Sequence, residues 1–325
     1  EWHMIEKDGF NCFDYLDANA DVKEAIALGQ FSSAYEHYKL YGHKEGRLLK
    51  RALSRKEKVF CLIEKSGLGL EMGPSHNPLA PKKEGFNVKI VDHASAADLR
   101  AKYINHPINL DNIEEVDFVS EGQPLSELVG SLNTYDWIIA SHVVEHLPNL
   151  ISFFQECEKI LKPGGVLSLV VPDKRYCFDH LGTLTSTGQL LDAWHEKRKK
   201  PSHGQVFDYV ANSCQRGEAI TWDEKTTEKL SLMHTFANAE HSWHRSMNAM
   251  DYIDVHCWRF TPKSFELILL DLFLLKLSNL KTERQYPTAG CEFYVSLVKQ
   301  KNDTSNGVNI DARMSILESI QNEIN

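Results

Sequence analysis

The 325-residue sequence has no C-x-x-C pair, no G-x-G-x-x-G run and no apolar stretch of membrane-spanning length. Its seven cysteines, Cys12, Cys61, Cys157, Cys177, Cys214, Cys257 and Cys291, are odd in number and widely spaced. That pattern argues against a disulfide framework and a thiolate zinc site, and for a reducing compartment. The missing glycine fingerprint argues against a dinucleotide pyrophosphate site. The most apolar segment, Phe265–Leu277, is too short to cross a bilayer and contains Glu266, Asp271 and Lys276. Residues 1–30 lack the unbroken apolar stretch of a secretory signal, so a cytoplasmic location is expected. Positive charge is outnumbered, with 36 Lys and Arg against 45 Asp and Glu. At a net charge of −9 the surface as a whole repels nucleic acid and anionic membranes. The local exception, Lys197-Arg198-Lys199-Lys200, reads as a solvated helix end before Pro201, with a contact to an anionic substrate as the alternative.

What is present is an ordinary globular composition, 42% apolar and 25% charged, in a chain long enough for one large domain with additions. Residues 1–52 predict a separate helical module. Its amphipathic stretches are Asp21–Leu28 and Phe31–Tyr41, with Gly29 and Gly42 as stop signals. From about residue 56, short apolar runs alternate with helical segments. The runs are Leu68–Met72, Val88–Val91, Val116–Val119, Trp137–Ala140 and Val166–Val171. Strands alternating with helices imply an α/β fold with a parallel sheet. A helix is predicted over Leu150–Leu161. Residues 181–255 break the rhythm and read as an inserted cap. It resumes at Thr261-Pro262, an N-cap followed by proline at the first helical position. Two strand-like runs follow, near Leu277–Arg284 and Glu292–Val298. The expected division is a module at 1–52, a cofactor-binding core at 53–180, a cap at 181–255, the rest of the core at 256–300 and a tail with a helix at 301–325.

One glycine turn and one acid stand out. Leu70-Glu71-Met72-Gly73-Pro74-Ser75-His76-Asn77 follows a predicted strand, where an open α/β sheet binds its ligands. Glycine there lets a ligand approach the backbone closely. Asp92, followed by His93, ends the next strand. An acid about twenty residues beyond the turn suits hydrogen bonds to ribose hydroxyls, and a helix N-cap is the alternative. Asp117 ends a third predicted strand, and either accepts from an adenine amino group or is simply exposed.

The ordered set Glu71-x-Gly73, Asp92, Asp117-Phe118, then Tyr135-Asp136-x-Ile138-Ile139-Ala140-Ser141-His142-Val143-Val144-Glu145-His146, then Leu161-Lys162-Pro163-Gly164-Gly165 resembles class I S-adenosylmethionine-dependent methyltransferases. The resemblance covers roughly residues 65–180. It implies a Rossmann-like seven-stranded sheet with a reversed last hairpin. It also implies that Glu71, Gly73, Pro74 and Ser75 line the methionine side of S-adenosylmethionine, that Asp92 and His93 lie at the ribose, that Asp117 and Phe118 face the adenine, and that Ser141 passes near the sulfonium. Two further stretches resemble proteins of bacterial polysaccharide biosynthesis: residues 15–47, and Pro172-Asp173-Lys174-Arg175-Tyr176-Cys177-Phe178-Asp179. They imply a sugar or glycan acceptor and a glycosyltransferase as a possible partner.

His142, Glu145 and His146 would share one face of a helix, and three readings stay open. A histidine could be the general base that a hydroxyl acceptor needs, since imidazole titrates in the right range. The trio could bind a divalent metal, the less favoured reading. Ubiquinone-pathway O-methyltransferases resemble this segment and use acids and a His at matching places, but His142 stands where they have a Glu. Or the trio could be structural. A zinc-protease reading of His-x-x-Glu-His fails because Pro148 breaks any helix. His241 and His244, three apart, are alternative bases. Trp243 and Trp258 suit the apolar face of a sugar ring and equally an ordinary core edge. Asp173 and Arg175 are candidate substrate contacts, with Arg175 as an anion clamp or as half of a salt bridge. The expected activity is O-methyl transfer to a sugar hydroxyl. A phenolic or isoprenoid acceptor, or a non-catalytic cofactor-binding scaffold, is the alternative.

Overall fold

The computed structural model describes residues 5–6, 10–248, 250–301 and 310–324. It divides into two compact units, residues 1–57 and 58–325. The first contains the helices Cys12–Ala18, Ala20–Ala27 and Ala34–His37, the last running into a π-turn at Tyr38–Gly42. Its small core is Phe10, Tyr15, Val22 and Ala34. The Tyr15 hydroxyl meets Nδ1 of the buried His37 at 2.9 Å. Gly42 is obligatory here, because a Cβ would stand 2.0 Å from that hydroxyl.

The second unit is built on seven strands: β1 (Gly69–Met72), β2 (Val88–Asp92), β3 (Phe118–Val119), β4 (Tyr135–Ser141), β5 (Leu161–Pro172), β6 (Leu280–Ala289) and β7 (Glu292–Lys299). Their spatial order is β3-β2-β1-β4-β5-β7-β6. The first five pair in parallel, while β7 runs antiparallel to both β5 and β6. This is the α/β sheet with a reversed final hairpin that the motif order implied. The central strands are apolar on both faces, with Leu70, Ile138, Ile139 and Ala140 fully buried, as expected for a parallel sheet covered on each side. Gly69 is needed for packing, because the Trp137 ring fills the space its Cβ would take.

Helix α1 (Leu150–Ile160) places Leu150, Ile151, Phe153, Phe154, Cys157 and Ile160 on its buried side. It stops one residue short of expectation because Leu161 already pairs with Tyr135 of β4. The next helices are α2 (Thr187–His195), α3 (His203–Asn212) and α4 (Phe236–Asn248). Leu190, Ala193 and Val206 of α2 and α3 join the main core, so the residues read as a cap are partly built into the domain. Helix α5 (Pro262–Leu274) starts on a capping box at Thr261 with proline in the first turn, and α6 (Ile310–Ile324) closes the chain. All seven cysteines are free. Among the described residues no helix is long and apolar enough to cross a membrane.

Candidate active site

Because β1, β2 and β4 are parallel, Met72, Asp92 and Ser141 end on one edge of the sheet. The chain turns sharply after β1, with Gly73 at φ +58° and Ser75 at φ +49°. The first value suits glycine; the second is strained for serine, which is common at functional turns. Two bonds tie this turn to β2. Gly73 N donates to the carbonyl of Val91 at 2.7 Å, and Ser75 N donates to Oδ2 of Asp92 at 2.9 Å. Asp92 is 3% exposed, and its Oδ1 accepts from His93 N at 2.7 Å. His93 Nδ1 also lies 2.7 Å from that oxygen. A carboxylate oxygen accepts more than one hydrogen bond, so a ribose hydroxyl would have to share the Asp92 carboxylate with these donors.

The residues present fit the cofactor that the resemblance implies. Ser75 Oγ and His76 Nδ1 are buried on this turn without a hydrogen-bond partner, and buried polar groups in native proteins are nearly always satisfied. A polar ligand on the Gly73–Asn77 turn would satisfy them. When bound, S-adenosylmethionine supplies an electrophilic methyl carbon on a sulfonium sulfur. Gly73, Ser75 and Asp92 are the residues placed to hold it, and a Cβ at Gly73 would already touch Val143 at 3.5 Å.

Two expected cofactor residues have partners within the protein. Glu71 is 2% exposed and accepts from the backbone N–H groups of Leu79 and Ala80 at 2.6 and 3.0 Å. Its carboxylate closes its own loop instead of lining the methionine side. Asp117 precedes β3 and binds Nζ of Lys82 and Lys89 and the backbone N–H of Ile90. Burial alone would raise its pKa, but these donors outweigh it and hold the carboxyl below its usual range. These bonds give Asp117 a structural role in addition to the one expected of it at the adenine. Phe118 is partly buried against the main core.

A second group of polar side chains assembles beyond β4. His142 has φ +53°, a strained value for a bulky residue. Its side chain is 38% exposed, with Nε2 2.7 Å from Oε2 of Glu292 on β7 and Nδ1 3.6 Å from Glu145. Glu292 in turn accepts from the Tyr294 hydroxyl at 2.7 Å. Glu145 is fully buried, and neither of its carboxylate oxygens has a hydrogen-bond partner. His146 Nε2 lies 3.9 Å from it, while His146 Nδ1 meets Asp254 at 2.8 Å. Burial works against the charged form of His146. The bond to Asp254 and the field of Glu145 outweigh it, and the pKa sits above the usual imidazole value. His256, 6% exposed, packs edge-on to His146 and bonds Asp179 at 2.5 Å, and Asp179 also pairs with the buried Arg259.

The segment after the cap locks this group in place. Cys257 N and Trp258 N donate to the carbonyl of Glu145 at 2.7 and 3.2 Å, and the Tyr252 hydroxyl donates to that of His146 at 3.0 Å. Residues 142–146 are therefore held as a loop by tertiary hydrogen bonds, not as a helix; their shared face comes from that loop. Trp258 is 2% exposed and its indole N–H donates to the carbonyl of Leu147, so it is a core residue and not a sugar platform. Asp173 is fully buried and grips Arg175 and the Thr288 hydroxyl, so Arg175 is half of a salt bridge and not an open clamp. His241 and His244 are exposed on α4, which packs against α3, and neither belongs to the group around Glu145. Trp243 is half-buried beside His244. The sequence reading passed over Glu292, Asp179, Asp254 and His256 as site residues. The one local signal was Asp254-x-His256, two polar residues at the edge of an apolar run.

A methyltransferase domain family model matches residues 41–271, well over half of the chain. The chain is 33% identical over 100 residues to a mitochondrial ubiquinone biosynthesis O-methyltransferase of Rattus norvegicus, covering 31% of this chain and 26% of that protein. The chain thus matches about a quarter of that relative's length. Among solved structures, an S-adenosylmethionine-dependent methyltransferase from Methanosarcina mazei covers 78% of this chain and all of its own, at 13% identity and a TM-score of 0.38. One from Aquifex aeolicus covers 75% and 89% at the same identity and score. With the matched domain, the sheet order and the cofactor turn in agreement, the chain belongs to the methyltransferase domain family and has the class I S-adenosylmethionine-dependent methyltransferase fold.

Proposed function

We propose that this methyltransferase methylates a hydroxyl oxygen, that the acceptor is a sugar or glycan hydroxyl, and that His142 is the base. One observation carries the reading: His142 stands strained and half-exposed at the end of β4, with Nε2 fixed on Glu292. A sugar hydroxyl is a poor nucleophile at neutral pH, so its proton must leave as the methyl arrives. With Nε2–H held by Glu292, the Nδ1 lone pair is free to take that proton. Bound S-adenosylmethionine would supply the methyl group, and the imidazolium left on His142 would lie between the carboxylates of Glu292 and Glu145. Holding the reactants in line and away from water supplies the rest of the acceleration.

The sugar is supported by the resemblances at residues 15–47 and 172–179 and by the half-buried Trp243. A phenolic acceptor is the second reading, favoured by the named activity of the rat relative. Incubation with isotopically labelled S-adenosylmethionine and a panel of nucleotide sugars, glycans and catechols, read by mass spectrometry, decides between them. A labelled methyl ether on a sugar is the expected product. Label on a catechol alone, or on nitrogen or carbon, would overturn the proposal.

A further inference from the structure

The three histidines beside Glu145 share a feature that a single base does not require. Each has one ring nitrogen anchored on an outer carboxylate. His142 uses Nε2 on Glu292 at 2.7 Å, His146 uses Nδ1 on Asp254 at 2.8 Å, and His256 uses Nδ1 on Asp179 at 2.5 Å. An imidazole that donates through one nitrogen presents a lone pair at the other. Carboxylate-anchored histidine is the usual outer arrangement around a bound metal, fixing tautomer and ring direction. At the centre is Glu145, fully buried, with both carboxylate oxygens lacking a hydrogen-bond partner. A buried carboxylate whose oxygens accept no hydrogen bond is costly unless a cation meets it, and the imidazoles of His142 and His146 stand 3.6 and 3.9 Å away, beyond hydrogen-bond reach.

We infer that Glu145, His146 and His256 bind a transition-metal ion of the zinc type, with His142 beside the open position. One ligand atom from each of the three residues lies within 4.8 Å of the others. Zinc bonds of about 2.0–2.1 Å to nitrogen and oxygen put tetrahedral ligand atoms about 3.3 Å apart, so closure needs only modest side-chain rotation. Two imidazoles and one carboxylate suit zinc or cobalt better than magnesium, which prefers oxygen ligands. Three protein ligands and an open fourth position are also the pattern of catalytic zinc sites. Cys257 lies outside the ligand group, and its thiol donates to the carbonyl of His146.

The ligand set crosses the fold. Glu145 and His146 follow β4, while His256 lies beyond α4, 110 residues later. His142 points to Glu292 instead of joining the ion. The metal would bind the acceptor hydroxyl and lower its pKa, leaving the proton to His142. That role rests on the proposed O-methylation, but binding of the ion does not.

The test uses the full chain, stripped with chelator and titrated with zinc chloride by calorimetry. Metal content is read by plasma mass spectrometry, and cobalt(II) serves as a visible-absorption probe. One equivalent per chain is expected, with a tetrahedral cobalt spectrum. Glu145→Gln and His256→Ala should each weaken zinc binding at least about 100-fold. Asp254→Asn, at a residue 70% exposed and so safe for folding, should weaken it about 10–100-fold. Cofactor affinity and circular dichroism check that each variant is folded, and Asp254→Asn decides if His256→Ala is not. Absence of saturable binding, or affinity unchanged in both Asp254→Asn and Glu145→Gln, would overturn the site. If zinc binds at one equivalent but no hydroxyl is methylated, the acceptor reading falls and the site stands.

Discussion

The cofactor edge and the acceptor edge of this sheet lie beside each other but are built in opposite ways. The cofactor edge is local. The turn at Gly73–Asn77 and the acid at Asp92 lie within about twenty residues, and the Ser75 backbone N–H joins them by donating to the Asp92 carboxylate. The acceptor edge is assembled from afar. Glu145 and His146 follow β4, Asp179 follows β5, Asp254 and His256 come after the cap helices, and Glu292 opens β7. A local site depends on one turn and two strands. An assembled site depends on the whole domain being folded, so its residues should couple binding, turnover and stability more strongly.

The largest expected effect sharpens that contrast. His142→Ala should lower turnover by about 10²–10⁴-fold, the range for loss of a general base, while the cofactor Kd stays within about twofold. Steady-state kinetics beside calorimetry would check it, and equal loss in both would merge the two edges into one. Next, Asp179→Ala strands the buried Arg259 and should cost about 3–5 kcal/mol of stability, measured by denaturant unfolding. A change below about 1 kcal/mol would mean the acceptor edge is not tied to the fold. Asp92→Ala should weaken cofactor binding by roughly 1.5–3 kcal/mol, as for bonds to a charged group. Unchanged calorimetric affinity would remove the ribose assignment.

Asp117→Asn should act on acid stability. Burial would raise the Asp117 pKa, but the bonds to Lys82, Ile90 and Lys89 depress it. Its stabilisation is therefore full above the unfolded carboxyl value of about 3.9. It fades as pH falls below that value and is gone below the depressed folded pKa. The wild type should lose more stability than the variant over that acid window, and parallel unfolding curves would contradict it. The smallest effect is expected for His241→Ala and His244→Ala, where turnover should stay within about twofold. A large loss would bring α4 into the acceptor edge.

How much was legible follows the same division. The turn at Gly73, the acid at Asp92 and the helix start at Thr261-Pro262 each announce themselves over a few residues, because turns, strand ends and caps are governed by local backbone chemistry. Glu71 and Asp117 show the limit even there. Their position in the motif was readable, but the backbone N–H groups at Leu79 and Ala80 and the ammonium groups of Lys82 and Lys89 that claim them were not. Arg175 and Trp258 carried the chemistry of substrate contacts, and Asp173 and Leu147 absorb it.

The sequence by itself determined the alternation of strands and helices, the sheet class and the place of the cofactor turn, because hydrophobic periodicity and glycine conformation act between near neighbours. Only the tertiary structure decided that His142 turns to Glu292, that His146 and His256 meet over Glu145, and that Asp179 holds His256 from behind. Those choices rest on which buried polar groups find partners after the chain has folded, and hydrogen bonds between distant residues leave no periodic trace along it.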